Sequence, residues 1–71
     1  MKKADTDRRV RRTRDLLRRT LTRLLMEKDL KDITVSELTA RADVNRGTFY
    51  LHYKDIYDLF EQIEKEILED F

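Results

Sequence analysis

Apolar residues recur at helical spacing in two long stretches of this sequence, and no proline interrupts either of them. Spacings of three, four and seven residues place side chains on one face of an α-helix. The first stretch carries Val10, Leu17, Leu21, Leu24 and Leu25. The second carries Ile56, Leu59, Phe60, Ile63, Ile67 and Phe71. The sequence therefore predicts an all-α chain with an amphipathic helix towards each end.

The segment between these stretches begins a shorter helix. The letters TVSE, from Thr34 to Glu37, have the pattern of a capping box. In that motif the threonine hydroxyl accepts from the amide of the glutamate, whose carboxylate reaches back to the amide of the threonine. A second helix is predicted over residues 34–42.

Asn45 and Asp55 predict the starts of two further helices. Both residue types accept hydrogen bonds from the free amides of a first helical turn. We expect a third helix over residues 46–53 and a connecting helix over residues 55–71. Phe49 falls on the inward side of the former and is expected in the core, as is Tyr53.

Residues 1–7 are predicted to be a flexible basic N-terminus, with Asp5 or Thr6 capping the first helix. The globular domain is expected over residues 8–71. Asp29 is expected to end the first helix in left-handed geometry.

Charge is distributed unevenly along the chain. Residues 1–31 carry 12 Lys and Arg against 5 Asp and Glu, whereas residues 55–71 carry 1 Lys against 7 acidic residues. One end therefore suits a polyanion, and the other repels it. The arginines at positions 8, 9, 11, 12 and 14 are expected to attract phosphate, the alternative being a solvated helix face.

Composition excludes several classes of function. The 71 residues contain no cysteine and one histidine, so neither a disulfide framework nor a zinc finger is expected. No apolar run approaches the ~18 residues of a membrane span. We expect a cytoplasmic protein with no cofactor, no metal and no membrane association. An enzyme is not expected, because no catalytic motif is recognisable.

Two short helices joined by a tight turn, after a long one, form the layout of a three-helix helix-turn-helix domain. The second short helix of that layout, here residues 46–53, is its recognition helix and enters the DNA major groove. Arg46 suits guanine O6 and N7, the methyl group of Thr48 suits thymine, and Asn45 suits a base or a phosphate. Gly47 serves either close approach to DNA or packing against a neighbouring helix.

The segment ITVSELTARADVNRGTFYLHYKDIYDLFEQI resembles the DNA-binding domain of TetR-family transcriptional repressors. The family pattern has a Thr-Val start to the second helix, and later Val-Ser/Asn-Lys/Arg-Gly-Thr-Leu/Phe-Tyr-x-His-Phe/Tyr-Lys. The match covers about residues 10–68.

This resemblance implies a homodimeric repressor that binds a near-palindromic double-stranded DNA operator. A small-molecule inducer and the dimer contacts would belong to a C-terminal domain, which is absent from this sequence. Glu69 and Asp70 are unfavourable at a helix C-terminus. A helix that continues past Phe71 is therefore expected, rather than a frayed native end.

The DNA-binding residues predicted from sequence and resemblance together are Thr34, Ser36, Asn45, Arg46, Gly47, Thr48, Tyr50, Leu51, His52 and Lys54. The chain departs from the family pattern at four positions. Aspartates 29 and 43 stand where glycine is common, Ile56 where a lysine often contacts phosphate, and Leu51 where an aromatic residue is frequent. An alternative function is a protein-interaction module that seats a partner helix on the apolar stripe of the last helix.

Overall fold

The computed structural model describes the backbone of residues 2–69 and the side chains of residues 7–69. Its elements are helix α1 (Lys2–Leu25), a 3₁₀ turn (Leu30–Asp32), and helices α2 (Val35–Ala42), α3 (Arg46–His52) and α4 (Ile56–Glu69). No strand occurs within the described range. The predicted all-α fold class is confirmed. Helices α2 and α3 lie within one residue of their predicted bounds, whereas α1 ends at Leu25, four residues before the predicted end at Asp29.

The outer ends of the first and last helices also differ from the predicted bounds. Helix α1 begins at Lys2, so residues 2–7 are helical where the sequence predicted a flexible segment. No glycine or proline interrupts them, and extending an existing helix adds one hydrogen bond for each residue ordered. Helix α4 is described as far as Glu69, and residues 70–71 of the predicted connecting helix lie outside the described residues.

The capping box at the start of α2 is only half formed. The Glu37 amide donates to the Thr34 hydroxyl at 3.1 Å, as predicted. Both carboxylate oxygens of Glu37 instead accept from Lys28 Nζ, each at 2.9 Å. Lys28, which follows α1, therefore binds the carboxylate that the capping-box pattern predicted to accept from the backbone amide of Thr34.

A left-handed residue joins α2 to α3. Asp43 has φ 56° and ψ 44°, and the amides of Asp43 and Val44 donate to the carbonyls of Ala40 and Thr39 at 3.3 and 2.9 Å. This pair of hydrogen bonds is a Schellman motif, which turns the chain directly into the next helix. Asp29 does not behave in this way: its φ of −72° and ψ of 153° are extended, so the left-handed ending predicted there is wrong.

Side chains cap the starts of α3 and α4 as predicted. The Gly47 amide donates to Asn45 Oδ1 at 2.7 Å, and the Asp58 amide donates to Asp55 Oδ1 at 2.8 Å. Asp58 in turn accepts from the amide of Lys54 at 2.9 Å. These reciprocal bonds fix the short connection between the two helices.

All four helices contribute to one apolar core. Its fully buried or nearly buried members are Leu17, Leu21, Leu24, Ile33, Leu38, Ala42, Phe49, Tyr53, Ile56 and Leu59. Phe49 is completely buried, so the inward face predicted for the recognition helix is confirmed. Because α3 has only seven residues, this anchoring stabilises a helix that would be marginal by itself.

An ion pair joins α2 to the turn that follows α1. The Arg41 guanidinium donates to the two carboxylate oxygens of Glu27 at 2.6 and 2.8 Å. This hydrogen bonding holds the pKa of Glu27 below its ordinary value and raises that of Arg41. The pair supports the helix that precedes the turn into α3.

Candidate DNA-recognition surface

Helix α3 presents one exposed stripe to solvent on the side away from Phe49. Arg46, Gly47, Tyr50, Leu51 and Lys54 are all exposed, at spacings that place them on one side of the helix and its end. We call these five residues the α3 stripe. They combine two cations, a tyrosine ring, a large apolar side chain and a position with no side chain.

The two cations of the α3 stripe, Arg46 and Lys54, are not engaged in ion pairs within the described part of the domain. Among residues 7–69, no carboxylate lies within ion-pair distance of Arg46 or Lys54. Elsewhere the domain neutralises Arg14, Arg18, Lys28 and Arg41 with carboxylates. The stripe therefore offers positive charge that no neighbouring side chain offsets, which favours an anionic partner.

Asn45 and Gly47 form a coupled pair in the first turn of α3. The side-chain oxygen of Asn45 is occupied by the Gly47 amide, so its side-chain NH₂ group is what remains to meet a ligand. A Cβ atom on Gly47 would lie 3.1 Å from that oxygen and would meet no other helix. Packing of Gly47 against a neighbouring helix, one of the two alternatives from sequence, is therefore wrong.

Thr48 and His52 lie at the edge of the stripe, not on it. Both are half-buried, and they flank the buried Phe49. The His52 ring lies 6.2 Å from that of Tyr53, measured between centroids. Their remaining exposed atoms border the stripe.

Tyr50 and Leu51 are the large side chains of the stripe. Tyr50 is 52% exposed and its ring meets that of Phe49 edge to face, with centroids 5.3 Å apart and planes at 89°. This contact orients the tyrosine from the core side. Leu51 is 81% exposed and projects from the helix into solvent.

Two predicted residues lie on α2. Thr34 and Ser36 are exposed at the start of that helix. The Thr34 hydroxyl oxygen accepts from the Glu37 amide, which leaves its proton available for donation. None of the ten predicted site residues is buried.

The start of α4 explains one departure from the family pattern and leaves one tyrosine exposed. Ile56 is 4% exposed and belongs to the core, so it offers no contact to a phosphate. Its neighbour Tyr57 is 52% exposed in the first turn of α4 and was not among the predicted residues. The available signal was that Tyr57 lies off the apolar stripe on which Ile56 and Leu59 fall.

The alternative function, a protein-interaction module, required the apolar stripe of α4 to be exposed to a partner helix. Ile56 and Leu59 are instead buried in the core, and Phe60 and Ile63 pack against it. Ile67 is the member that is mostly exposed within the described residues, and Phe71 lies outside them. The long partner-binding face expected from sequence is therefore occupied by the domain itself.

The arginines of α1 do not behave as one group. Phosphate attraction and a solvated helix face both require exposed side chains. Four of the arginines are exposed: Arg8, Arg9, Arg11 and Arg12. Arg14 is half-buried, and its Nε donates to the Tyr53 hydroxyl at 3.1 Å. Arg14 is therefore part of the packing between helices and not a free phosphate contact.

The long α1, the tight turn between α2 and α3, and the outward basic side of α3 define a helix-turn-helix domain of the DNA-binding class. The family model described as bacterial regulatory proteins, tetR family, matches residues 17–63. The chain belongs to this family. Its class is transcription regulation through DNA binding and not an enzyme class, as expected.

A curated relative agrees with this assignment. The uncharacterized HTH-type transcriptional regulator YxbF of Bacillus subtilis (strain 168) is 39% identical over 61 residues, which cover 84% of this chain. The same segment covers 16% of that relative, so this chain spans a small part of its length. No solved structure matches the chain significantly. Between residues 2 and 69, no helix has the length and apolar composition needed to cross a membrane.

Proposed function

We propose that this domain binds double-stranded DNA sequence-specifically, with α3 in the major groove, and that it serves a transcriptional repressor. The observation that carries the proposal is the α3 stripe, whose two cations have no carboxylate partner within residues 7–69. An α-helix fits the major groove, and its N-terminal residues approach base edges there.

The residues of α3 divide into two proposed roles. Arg46 in the first turn is a base reader, because its guanidinium donates two hydrogen bonds in the geometry of guanine O6 and N7. Gly47 lets the backbone approach the DNA, and the Asn45 NH₂ group donates to a base or a phosphate. Thr48 meets a thymine methyl group at the edge of the stripe.

The second proposed role is attachment to the phosphate backbone. Lys54 and the Tyr50 hydroxyl contact phosphates at the far end of α3, with Leu51 and His52 beside them. Thr34 and Ser36 donate to phosphates from the first turn of α2. These contacts set the register of the domain without reading sequence.

The whole protein is proposed to bind its operator as a homodimer in the cytoplasm. Two recognition helices of a dimer meet successive major grooves about 34–36 Å apart, so the operator is near-palindromic. A ligand-binding and dimerisation domain would supply the dimer contacts and the inducer site. The greater length of the Bacillus relative leaves room for such a domain in that protein.

The test is titration of the 71-residue chain with duplex DNA at two salt concentrations. Selection from a random duplex pool, with an artificially dimerised chain, first identifies the preferred sequence. Binding of the monomeric chain is expected in the range of ~10⁻⁴–10⁻⁶ M and to weaken as salt rises, because phosphate contacts release counterions. Lys65→Ala, an exposed lysine on α4, is the control and should bind as the parent does.

Two results would refute the proposal. An affinity independent of salt would mean that phosphate contacts contribute nothing. Failure of the pool to converge on any sequence would mean that the α3 stripe does not read bases.

A further inference from the structure

Arg14 connects α1 to the end of the recognition helix. Its Nε donates to the Tyr53 hydroxyl at 3.1 Å, and its guanidinium carbon lies 5.9 Å from the centroid of the same ring. Tyr53 is the residue at which α3 ends, and its amide donates to the Phe49 carbonyl at 3.0 Å. The contact therefore joins two points 39 positions apart in the sequence.

Carboxylates on two helices hold Arg14 and its neighbour in place. Glu66 on α4 lies 4.0 Å from the Arg14 guanidinium and accepts from Arg18 at 2.6 Å. Arg18 also donates to Asp15 at 2.8 Å. The hydrogen bond with Tyr53, and then the nearby charge of Glu66, raise the pKa of Arg14. Arg14 is thus a fixed cation on α1 that contacts both α3 and α4.

Helix α3 has its ends set by the turn from α2 and by the connection to α4, and the contact with Arg14 adds a constraint from α1. Seven residues provide fewer than two full turns beyond the caps, and a helix this short has little stability of its own. Phe49 and the ring of Tyr53 anchor it in the core, but apolar packing is not directional. A hydrogen bond to the Tyr53 hydroxyl adds a second, directional constraint at the opposite end from the base-reading turn.

We propose that Arg14 is a positioning residue for DNA recognition: its bond to Tyr53 sets the angle at which α3 leaves the core. The effect on DNA binding rests on the proposed function. The structural part of the proposal concerns the free protein and is measured separately.

The first measurement is amide hydrogen exchange of the complete chain, resolved by residue. Tyr53→Phe removes the hydroxyl and keeps the ring, and Arg14→Gln removes the donor. Both are expected to speed exchange in the last turn of α3 about three- to tenfold relative to α2, as loss of one hydrogen bond implies. Arg41→Gln is the matched control, because it breaks an ion pair between α2 and the turn after α1 that does not contact α3.

Two outcomes of this measurement would overturn the proposal. Unchanged exchange in the last turn of α3 would mean that the bond constrains nothing. An equal increase in every helix would mean that Arg14 contributes only to general stability. The double variant provides a further check, because effects that simply add would show that the two side chains act independently.

The second measurement is the ratio of affinities for the selected duplex and an unrelated duplex. Tyr53→Phe leaves the net charge unchanged, so it should lower this ratio about three- to tenfold while leaving binding to the unrelated duplex unaltered. A retained ratio would refute the role in recognition. If the parent chain itself shows no preference, the proposed function fails, whereas the exchange measurement still decides whether Arg14 orients α3.

Discussion

The two aspartates at family glycine positions should respond in opposite directions to the same substitution. Asp43 is left-handed with φ 56°, whereas Asp29 is extended with φ −72°. Left-handed geometry costs a residue with a Cβ about 1–2 kcal/mol, and glycine avoids this cost. Glycine also increases the entropy of the unfolded chain, which destabilises the fold by about 0.4–1 kcal/mol wherever it is introduced.

Together, the relief of backbone strain and the entropy of the unfolded chain change the free energy of unfolding in opposite directions at the two sites. For Asp43→Gly the relief of strain exceeds the entropy term, and the free energy of unfolding is expected to rise by ~0.5–1 kcal/mol. For Asp29→Gly only the entropy term remains, because the Asp29 side chain makes no capping hydrogen bond. A fall of ~0.4–1 kcal/mol is expected there. Each variant loses one carboxylate, so the change in net charge is the same.

Thermal unfolding followed by circular dichroism at 222 nm measures both effects. A domain of this size shifts its Tm by roughly 4–8 °C for each kcal/mol, so the two variants should differ by roughly 4–16 °C. Asp43→Ala is the control, because alanine keeps the Cβ and should not stabilise the protein. A lower Tm for Asp43→Gly, or shifts of the same sign at both sites, would refute the reasoning from backbone geometry.

Three further predictions concern recognition, capping and pH. Arg46→Ala should weaken operator binding by ~1–3 kcal/mol and relax preference at one base pair, whereas Lys54→Ala should weaken all duplexes alike and lower the salt slope by about 1. Similar effects of both variants on every sequence, in salt titrations, would contradict the division between base reading and phosphate contact. Asn45→Ala should destabilise the fold by ~1 kcal/mol in urea unfolding, whereas Asn45→Asp should keep the cap but weaken DNA binding through its charge. The lowered pKa of Glu27 means that its stabilising pairing with Arg41 is present above the ordinary value of 4.5 and is lost as pH falls through the folded value. The Tm difference between the parent and Glu27→Gln should therefore be present at about pH 6 and decrease as pH falls below 4.5. A difference that does not decrease in acid would exclude the ion pair as its source.

Local signals along the chain predicted the helices and their caps. Asn45 and Asp55 cap the helices that they were expected to cap, because a capping side chain bonds amides two or three residues away. Phe49 is buried as its position relative to the apolar residues implied, since helical periodicity depends on the chain alone. The three-helix layout and the exposed side of α3 followed from the same local rules.

Contacts between residues distant in sequence decided the rest. The Glu37 carboxylate, which the capping box assigned to a backbone amide, accepts from Lys28 instead. Ile56 is buried in the core, and Arg14 donates a hydrogen bond to the Tyr53 hydroxyl. Sequence by itself thus determined where α2, α3 and α4 begin, because hydrogen bonds within one turn set those starts. Tertiary structure alone decided which charged and apolar side chains stay exposed to a ligand, since their partners arrive only when the helices pack.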